Sequence, residues 1–308
     1  MAKPVKLQSS LEYAIARAIL SGLGALPRRI AIVIGLTIGR VGYLLPGNLR
    51  RTGQRNLEIA FPYSTDRERR RLLRGCFDNL GRLLAEFSQF PRLTRERLRA
   101  MVEYEGVERY WEANARGQGI ILLTCHLGAW ELLSFAHSAL QQPLSFLVRP
   151  LDNPRVEEMI ERIRTRFGNE PINKKSAARQ ALRLLRDGGT LGILADLNTQ
   201  PREGVFVPFF GRLACTTTGA AILALRTNAV VFPVCGIWDK ERERYILRCE
   251  PMVELVRTGD EARDIEINTA RFTAAIEGMV RAYPDQWLWI HKRWKSRPPG
   301  EADLYNER

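Results

Sequence analysis

A histidine at position 126 and a glutamate at 131 follow directly on the apolar run Ile120-Ile121-Leu122-Leu123-Thr124. Inside a single α-helix, a five-residue offset at about 100° per residue would set the two side chains roughly 140° apart, on different faces. A strand that stops near Thr124, a turn carrying His126 and a helix whose first turns hold Glu131 would instead let the carboxylate reach back to an imidazole nitrogen. A carboxylate so placed fixes the histidine's tautomer and supports its protonated form, which is what a general base acting on an alcohol requires. The competing assignment is an ordinary polar residue at a strand end and an ordinary acid at a helix start. Of the three histidines, 126, 137 and 291, only His126 follows a buried-type strand at its carboxyl end, where open α/β sheets bind ligands.

Other side chains could join it. A strand over 190–195 would deliver Asp196, followed by Asn198, to the same sheet edge as a second carboxylate, unless Asp196 is only a turn or cap residue. Arginines cluster after a strand at 144–148: Arg149, then Arg155, Arg162, Arg164 and Arg166. Most of these read as a solvated face, but one or two turned toward His126 would stabilise an oxyanion or hold a phosphate. Cys125 fits a small buried hydrophobe better than a nucleophile. The apolar run 204–211, bracketed by glycines, suits an acyl-chain channel or a plain hairpin. In Thr216-Thr217-Thr218, directly before an Ala- and Leu-rich segment, one threonine is expected as a helix N-cap. The sequence carries no P-loop and no His/Cys ligand cluster, so neither a nucleotide nor a metal cofactor is expected.

The elements that must position these residues alternate. Strands are expected at 120–124, 144–148, 190–195, 230–237 and 244–249. Between them, helices are expected at 129–140, 154–167, 175–187 and 217–228, with further amphipathic helices at 66–90 and 262–282. Strand and helix in alternation predict an α/β fold with a mostly parallel sheet covered on both faces.

Composition narrows the partners. The chain has 308 residues, enough for a full core, and its net charge of +13 calls for an acidic partner such as nucleic acid, an anionic membrane, a phosphorylated substrate or an acidic carrier protein. No nucleic-acid module with interleaved aromatics is recognisable. Five cysteines without a C-x-x-C pair suit a reduced compartment, and no secretory signal is read, so the cytoplasmic side is expected. Two uncharged stretches, 18–27 and 30–39, are each about ten residues, too short for the roughly 20 that span a bilayer. With Leu11, Ile15, Ile19 and Leu26 at helical spacing, they predict an in-plane membrane contact, the alternative being a helical cap packed on the core. At the other end, Trp287, Ile290, His291 and Trp294 would share one face of a helix beside Lys292, Arg293 and Lys295. That face suits the headgroup level of a membrane, or docking of its tryptophans into the core.

Several of these residues occur together in an ordered set: His126-x4-Glu131, Arg149-Pro150 then Asn153-Pro154, Arg164 with Gly168, Asp196 leading to Val205–Gly211, the threonine run, and the closing Gln286-Trp287-Leu288-Trp289-Ile290-His291-Lys292-Arg293-Trp294. The set resembles the late lipid A acyltransferases over nearly the whole chain and, more distantly, the mycobacterial phosphatidylinositol mannoside acyltransferase. The resemblance implies an αβα sandwich of glycerolipid-acyltransferase type, with N-terminal membrane-associated helices (1–50) before an acyltransferase domain (51–308). It implies transfer from an acyl carrier protein thioester to a hydroxyl of a Kdo-bearing lipid A precursor, at the cytoplasmic face of the cell inner membrane and without a cofactor. By the same resemblance His126 and Glu131 are the catalytic dyad, Arg164 is a functional arginine, Arg149 and Asp196 bind substrate, and Asp196 also matches an acid used in a relay with the histidine. Acylation of another membrane glycolipid or phospholipid, from either acyl carrier protein or acyl-CoA, stays open. So does a non-catalytic basic protein at membranes or on nucleic acid.

Overall fold

The computed structural model describes residues 7–148, 150–173 and 177–305. Nine strands are present among them: β1 Val102–Glu105, β2 Ile120–Thr124, β3 Ser145–Val148, β4 Glu170–Asn173, β5 Thr190–Leu194, β6 Gly204–Phe209, β7 Arg212–Thr217, β8 Val230–Asp239 and β9 Arg244–Cys249. The helices are α1 Leu7–Ala25, α2 Arg28–Leu44, α3 Asn48–Ala60, α4 Asp66–Gln89, α5 Arg95–Met101, α6 Val107–Ala115, α7 Trp130–Leu140, α8 Pro154–Arg164, α9 Ala177–Arg186, α10 Gly219–Thr227 and α11 Glu261–Ala282.

Seven strands form one sheet in the order β1-β9-β8-β2-β5-β3-β4, in which only the β8–β9 pairing is antiparallel. The pleat sends alternate residues to opposite faces. Ile121 and Leu123 of β2 and Leu191 and Ile193 of β5 enter a core shared with α9, α10 and α11, while Ile120 and Leu122 face Tyr110 of α6. Both faces are therefore covered, as the alternation predicts. The edge strands β1 and β4 have no counterpart in the sequence reading: each is four residues long, one carries two glutamates and the other a proline, so neither shows an apolar pattern.

The N-terminal helices are bound tightly to this body. A Cβ on Gly81 of α4 would lie 2.1 Å from the carbonyl oxygen of Gly35 in α2, and one on Gly39 would lie 2.2 Å from that of Phe77, so the two backbones touch. Buried Glu86 accepts from Arg28 Nε at 3.0 Å and from the Tyr245 hydroxyl at 3.1 Å, linking α2 to β9 through α4. The outward faces stay apolar: Leu11 and Ile15 on α1, and Val33, Ile38 and Val41 on α2, are exposed. Among the described residues no single helix is long and apolar enough to cross a membrane. Only the bent pair of α2 and α3, 82° apart, meets that test by length and composition.

The chain's closing segment is not the helix its spacing suggests, and of the two expected roles it takes core docking. Residues 287–295 are turns, not a helix, and Trp287, Trp289 and Trp294 are buried against Phe209 and Phe210. Hydrogen bonds from Asn56 to the carbonyls of Trp289 and His291 hold the segment inside. Its tryptophans dock into the core and offer no membrane surface. The run 204–211 is likewise a hairpin, β6 to β7, turning at Phe210 and Gly211, both with positive φ.

Candidate functional site

β2 ends at Thr124 and α7 begins at Trp130, so His126 lies in the connecting turn and Glu131 in the helix's first turn, as the spacing predicts. The turn is pinned at Gly128, whose φ of +60° suits glycine and whose Cβ would meet the Gly236 carbonyl oxygen at 2.1 Å. The Gly128 amide donates to Gln286 O and the Ala129 amide to Gly236 O. His126 is thereby fixed by β8 and by the closing segment, whose Leu288 amide donates to the His126 carbonyl.

The carboxylate that meets the imidazole is Asp196, two residues beyond β5. His126 Nδ1 lies 2.8 Å from Asp196 Oδ1, and the His126 backbone amide donates to Asp196 Oδ2 at 2.9 Å. The indole of Trp287 donates to the same Oδ2 at 2.8 Å. Burial pushes the Asp196 carboxyl up, but the charge of His126 and the three hydrogen bonds outweigh it and hold the acid below its ordinary range. An ionised carboxylate only accepts, so Nδ1 carries the proton and Nε2 is the basic nitrogen. Burial lowers the imidazole's own pKa, yet Asp196, by charge and hydrogen bond, and Glu131, by charge, raise it further than Arg164 and burial depress it. Trp130 packs edge-to-face with the ring, centroids 5.1 Å apart.

Glu131 does not reach back to the imidazole. It takes a two-pronged ion pair from Arg164 at the end of α8, with Nε to Oε2 at 2.9 Å and Nη2 to Oε1 as the second bond. A guanidinium matches a carboxylate with two parallel bonds, and nothing at the imidazole competes with that geometry. The pair raises the guanidinium's pKa against the lowering effect of burial. His126, Asp196, Glu131 and Arg164 thus converge as two charge pairs. Arg149, the remaining predicted residue, lies outside the described residues.

Trp287 and Gln286 were not anticipated as site residues, because their contacts with Asp196 and Gly128 span 91 and 158 positions of sequence and leave no local pattern. Of the threonine run, Thr218 precedes α10 but makes no side-chain cap; Thr217 Oγ1 accepts from the Gly219 amide at 3.4 Å. Cys125 is buried, and its thiol is pushed well above its ordinary value by burial and by Asp196, which leaves it unreactive. No group of His, Cys, Asp or Glu able to hold a metal occurs among the described residues.

Beside the Glu131–Arg164 pair a cavity of about 940 Å³, its open mouth included, runs between α7 and the sheet. By strand register and the direction of α7, its lining falls in levels: Glu131, Arg164, Thr124 and Leu194, then Leu122, Gly192, Phe146 and Ser134, then Tyr110, Leu144 and His137. The lining is chiefly apolar. Burial holds His137 neutral by lowering its pKa to about 4.

The sequence profile described as bacterial lipid A biosynthesis acyltransferase matches residues 4–296. The chain is 26% identical over 286 residues to the lipid A biosynthesis lauroyltransferase of Escherichia coli K12, covering 91% of this chain and 90% of that protein. It is similar to two other proteins of that organism. The palmitoleoyltransferase is 27% identical, over 91% of this chain and 90% of its own. The myristoyltransferase is 23% identical, over 94% and 89%.

Proposed function

The chain belongs to the bacterial lipid A biosynthesis acyltransferases, and from that premise we propose that it moves a fatty acyl group from an acyl carrier protein thioester to a hydroxyl of a Kdo-bearing lipid A precursor, with His126 as general base. One observation carries the assignment: Asp196 occupies Nδ1 of a partly buried imidazole, and Nε2 has no protein partner among the described residues. In this mechanism Nε2 takes the proton of the acceptor hydroxyl as its oxygen attacks the thioester carbonyl. The tetrahedral oxyanion collapses, the carbon–sulfur bond breaks, and the imidazolium returns its proton to the departing thiolate. Among the described residues no side chain caps α7, so the amides of its first turn, with Arg164 beside them, are the donors for the oxyanion. Glu131 is a positioning residue that holds Arg164, and Asp196 positions His126. The apolar cavity next to them takes the acyl chain of the donor.

The same reading places the protein at the cytoplasmic face of the inner membrane. The exposed apolar faces of α1 and α2 support it, and so does the stripe of Arg67, Arg70, Arg71 and Arg74 on α4, exposed at i, i+3, i+4 and i+7. Arg74 lies over the ring of Tyr43 at 5.5 Å, next to exposed Leu44 and Leu45. Apolar side chains flanked by tyrosine and arginine suit an anionic bilayer surface.

Transfer of radiolabelled acyl groups from acyl carrier protein thioesters to Kdo-lipid A precursor in detergent micelles tests the assignment, with another glycolipid and a phospholipid as alternative acceptors. His126→Ala is expected to lower turnover by about 10² to 10⁴ with the fold retained. Equal product from wild type and variant would remove His126 as the base, and transfer only to an alternative acceptor would replace the lipid A precursor.

A further inference from the structure

We infer that Gly192 determines the length of acyl chain the enzyme transfers. This rests on the acyl-donor reading of the cavity. Gly192 lies in the middle of β5, in register with Leu122 of β2 on one side and Phe146 of β3 on the other. All three line the cavity. Glycine weakens a strand interior and is otherwise kept where the backbone is left-handed or where another chain presses against it. Neither condition holds here. Gly192 is not among the residues with positive φ, and a Cβ built on it would have ordinary van der Waals neighbours: Leu144 Cδ1 at 3.5 Å, Phe146 Cβ at 3.7 Å and Ser145 O at 3.8 Å. Gly119 and Gly204, by contrast, would each place a Cβ within 2.5 Å of another backbone atom.

What the glycine supplies is therefore empty space, and the space has a definite place. Along β5 the side chains on the cavity face belong to Leu194, 38% exposed at the upper end, then Gly192, then Thr190, whose hydroxyl meets that of buried Tyr110 at 3.1 Å. On α7 the same descent runs from Glu131 through Ser134 to His137, about 9 Å along the helix axis. The ring of His137 abuts that of Tyr110, centroids 4.9 Å apart. An alkyl chain entering beside Arg164 and Glu131 must pass Gly192 to reach this lower chamber, and it stops at the two buried rings. A β-branched residue at 192 fits the strand and blocks the passage while leaving the reacting groups untouched.

The test is a competition among acyl carrier protein thioesters from C8 to C18, with wild type, Gly192→Ala and Gly192→Val. Gly192→Val is expected to shift the preferred chain shorter by at least two carbons and to lower the longest-to-shortest rate ratio about tenfold or more, and Gly192→Ala to fall between. In parallel, octanoate, dodecanoate and hexadecanoate are used to displace a fluorescent fatty acid from the same three proteins, each carrying His126→Ala. The long chains alone should weaken. That second readout does not depend on turnover, so it still reads the passage if the acyl-transfer assignment fails. An unchanged length profile in folded Gly192→Val protein, or an equal loss at every length, overturns the inference. If Gly192→Val does not fold, Gly192→Ala alone must show the shift.

Discussion

At the level of single residues, the site separates two acids that the sequence leaves interchangeable. Asp196 acts on the imidazole by direct contact, so it sets the basicity of His126. With His126 as the proposed base, transfer requires neutral Nε2, and the raised pKa predicts that activity is lost as pH falls through a value above the ordinary 6.5. Asp196→Asn removes the charge and the ionic hydrogen bond and leaves only the weaker support of Glu131 against burial and Arg164. The acid limb of the kcat/KM profile should move to lower pH, and the rate at neutral pH should fall by about 10² or more, because the tautomer is no longer fixed. Glu131 and Arg164 should behave differently. Glu131→Gln and Arg164→Ala are each expected to cost about 10² in kcat, and the double variant little more than either alone, since each acts through the other. The acid limb should move only slightly with Glu131→Gln, whose charge is a lesser support of the imidazole than Asp196. A shift as large as that of Asp196→Asn would restore Glu131 as the direct partner of His126.

Among the elements, β2 and α7 were legible because β2 is an almost wholly apolar run, α7 carries apolar residues at helical spacing, and a glycine-bearing turn lies between them. The sequence therefore identified the turn that carries His126. It did not identify which carboxylate faces the ring, because that depends on β5 lying beside β2 in the sheet and not on any spacing within 126–131. The tail misled for a physical reason: Trp287, Ile290, His291 and Trp294 fall at helical intervals, yet they sit in consecutive turns that bury three indoles. The Gly35, Gly39 and Gly81 contact between α2 and α4 was equally silent, since each glycine alone reads as a neutral helix residue. Gly81→Val should force the two helices apart and destabilise the protein by at least about 2 kcal/mol, lowering the thermal midpoint. Gly278→Val, where a side chain has open space, should not add this steric penalty and serves as the control for the helix-propensity cost.

For the whole molecule, the proposed membrane contact rests on the charge of +13 and the apolar outer faces of α1 and α2 together. Replacing Val33 and Ile38, both exposed, by glutamate should release the protein from anionic vesicles in sedimentation while leaving transfer in micelles within a few-fold of wild type. Loss of micellar activity to the same degree would mean that these faces serve the fold and not the bilayer. The route of the chain through this architecture also sets an order of events during synthesis. Helices α1 and α2 leave the ribosome well ahead of Trp287, which completes the shell around Asp196 and follows more than 240 residues after α2 ends. A nascent chain can thus bring its greasy face to a lipid surface long before it has a finished proton relay. On the proposed membrane reading, the lipid surface is met before the site is complete.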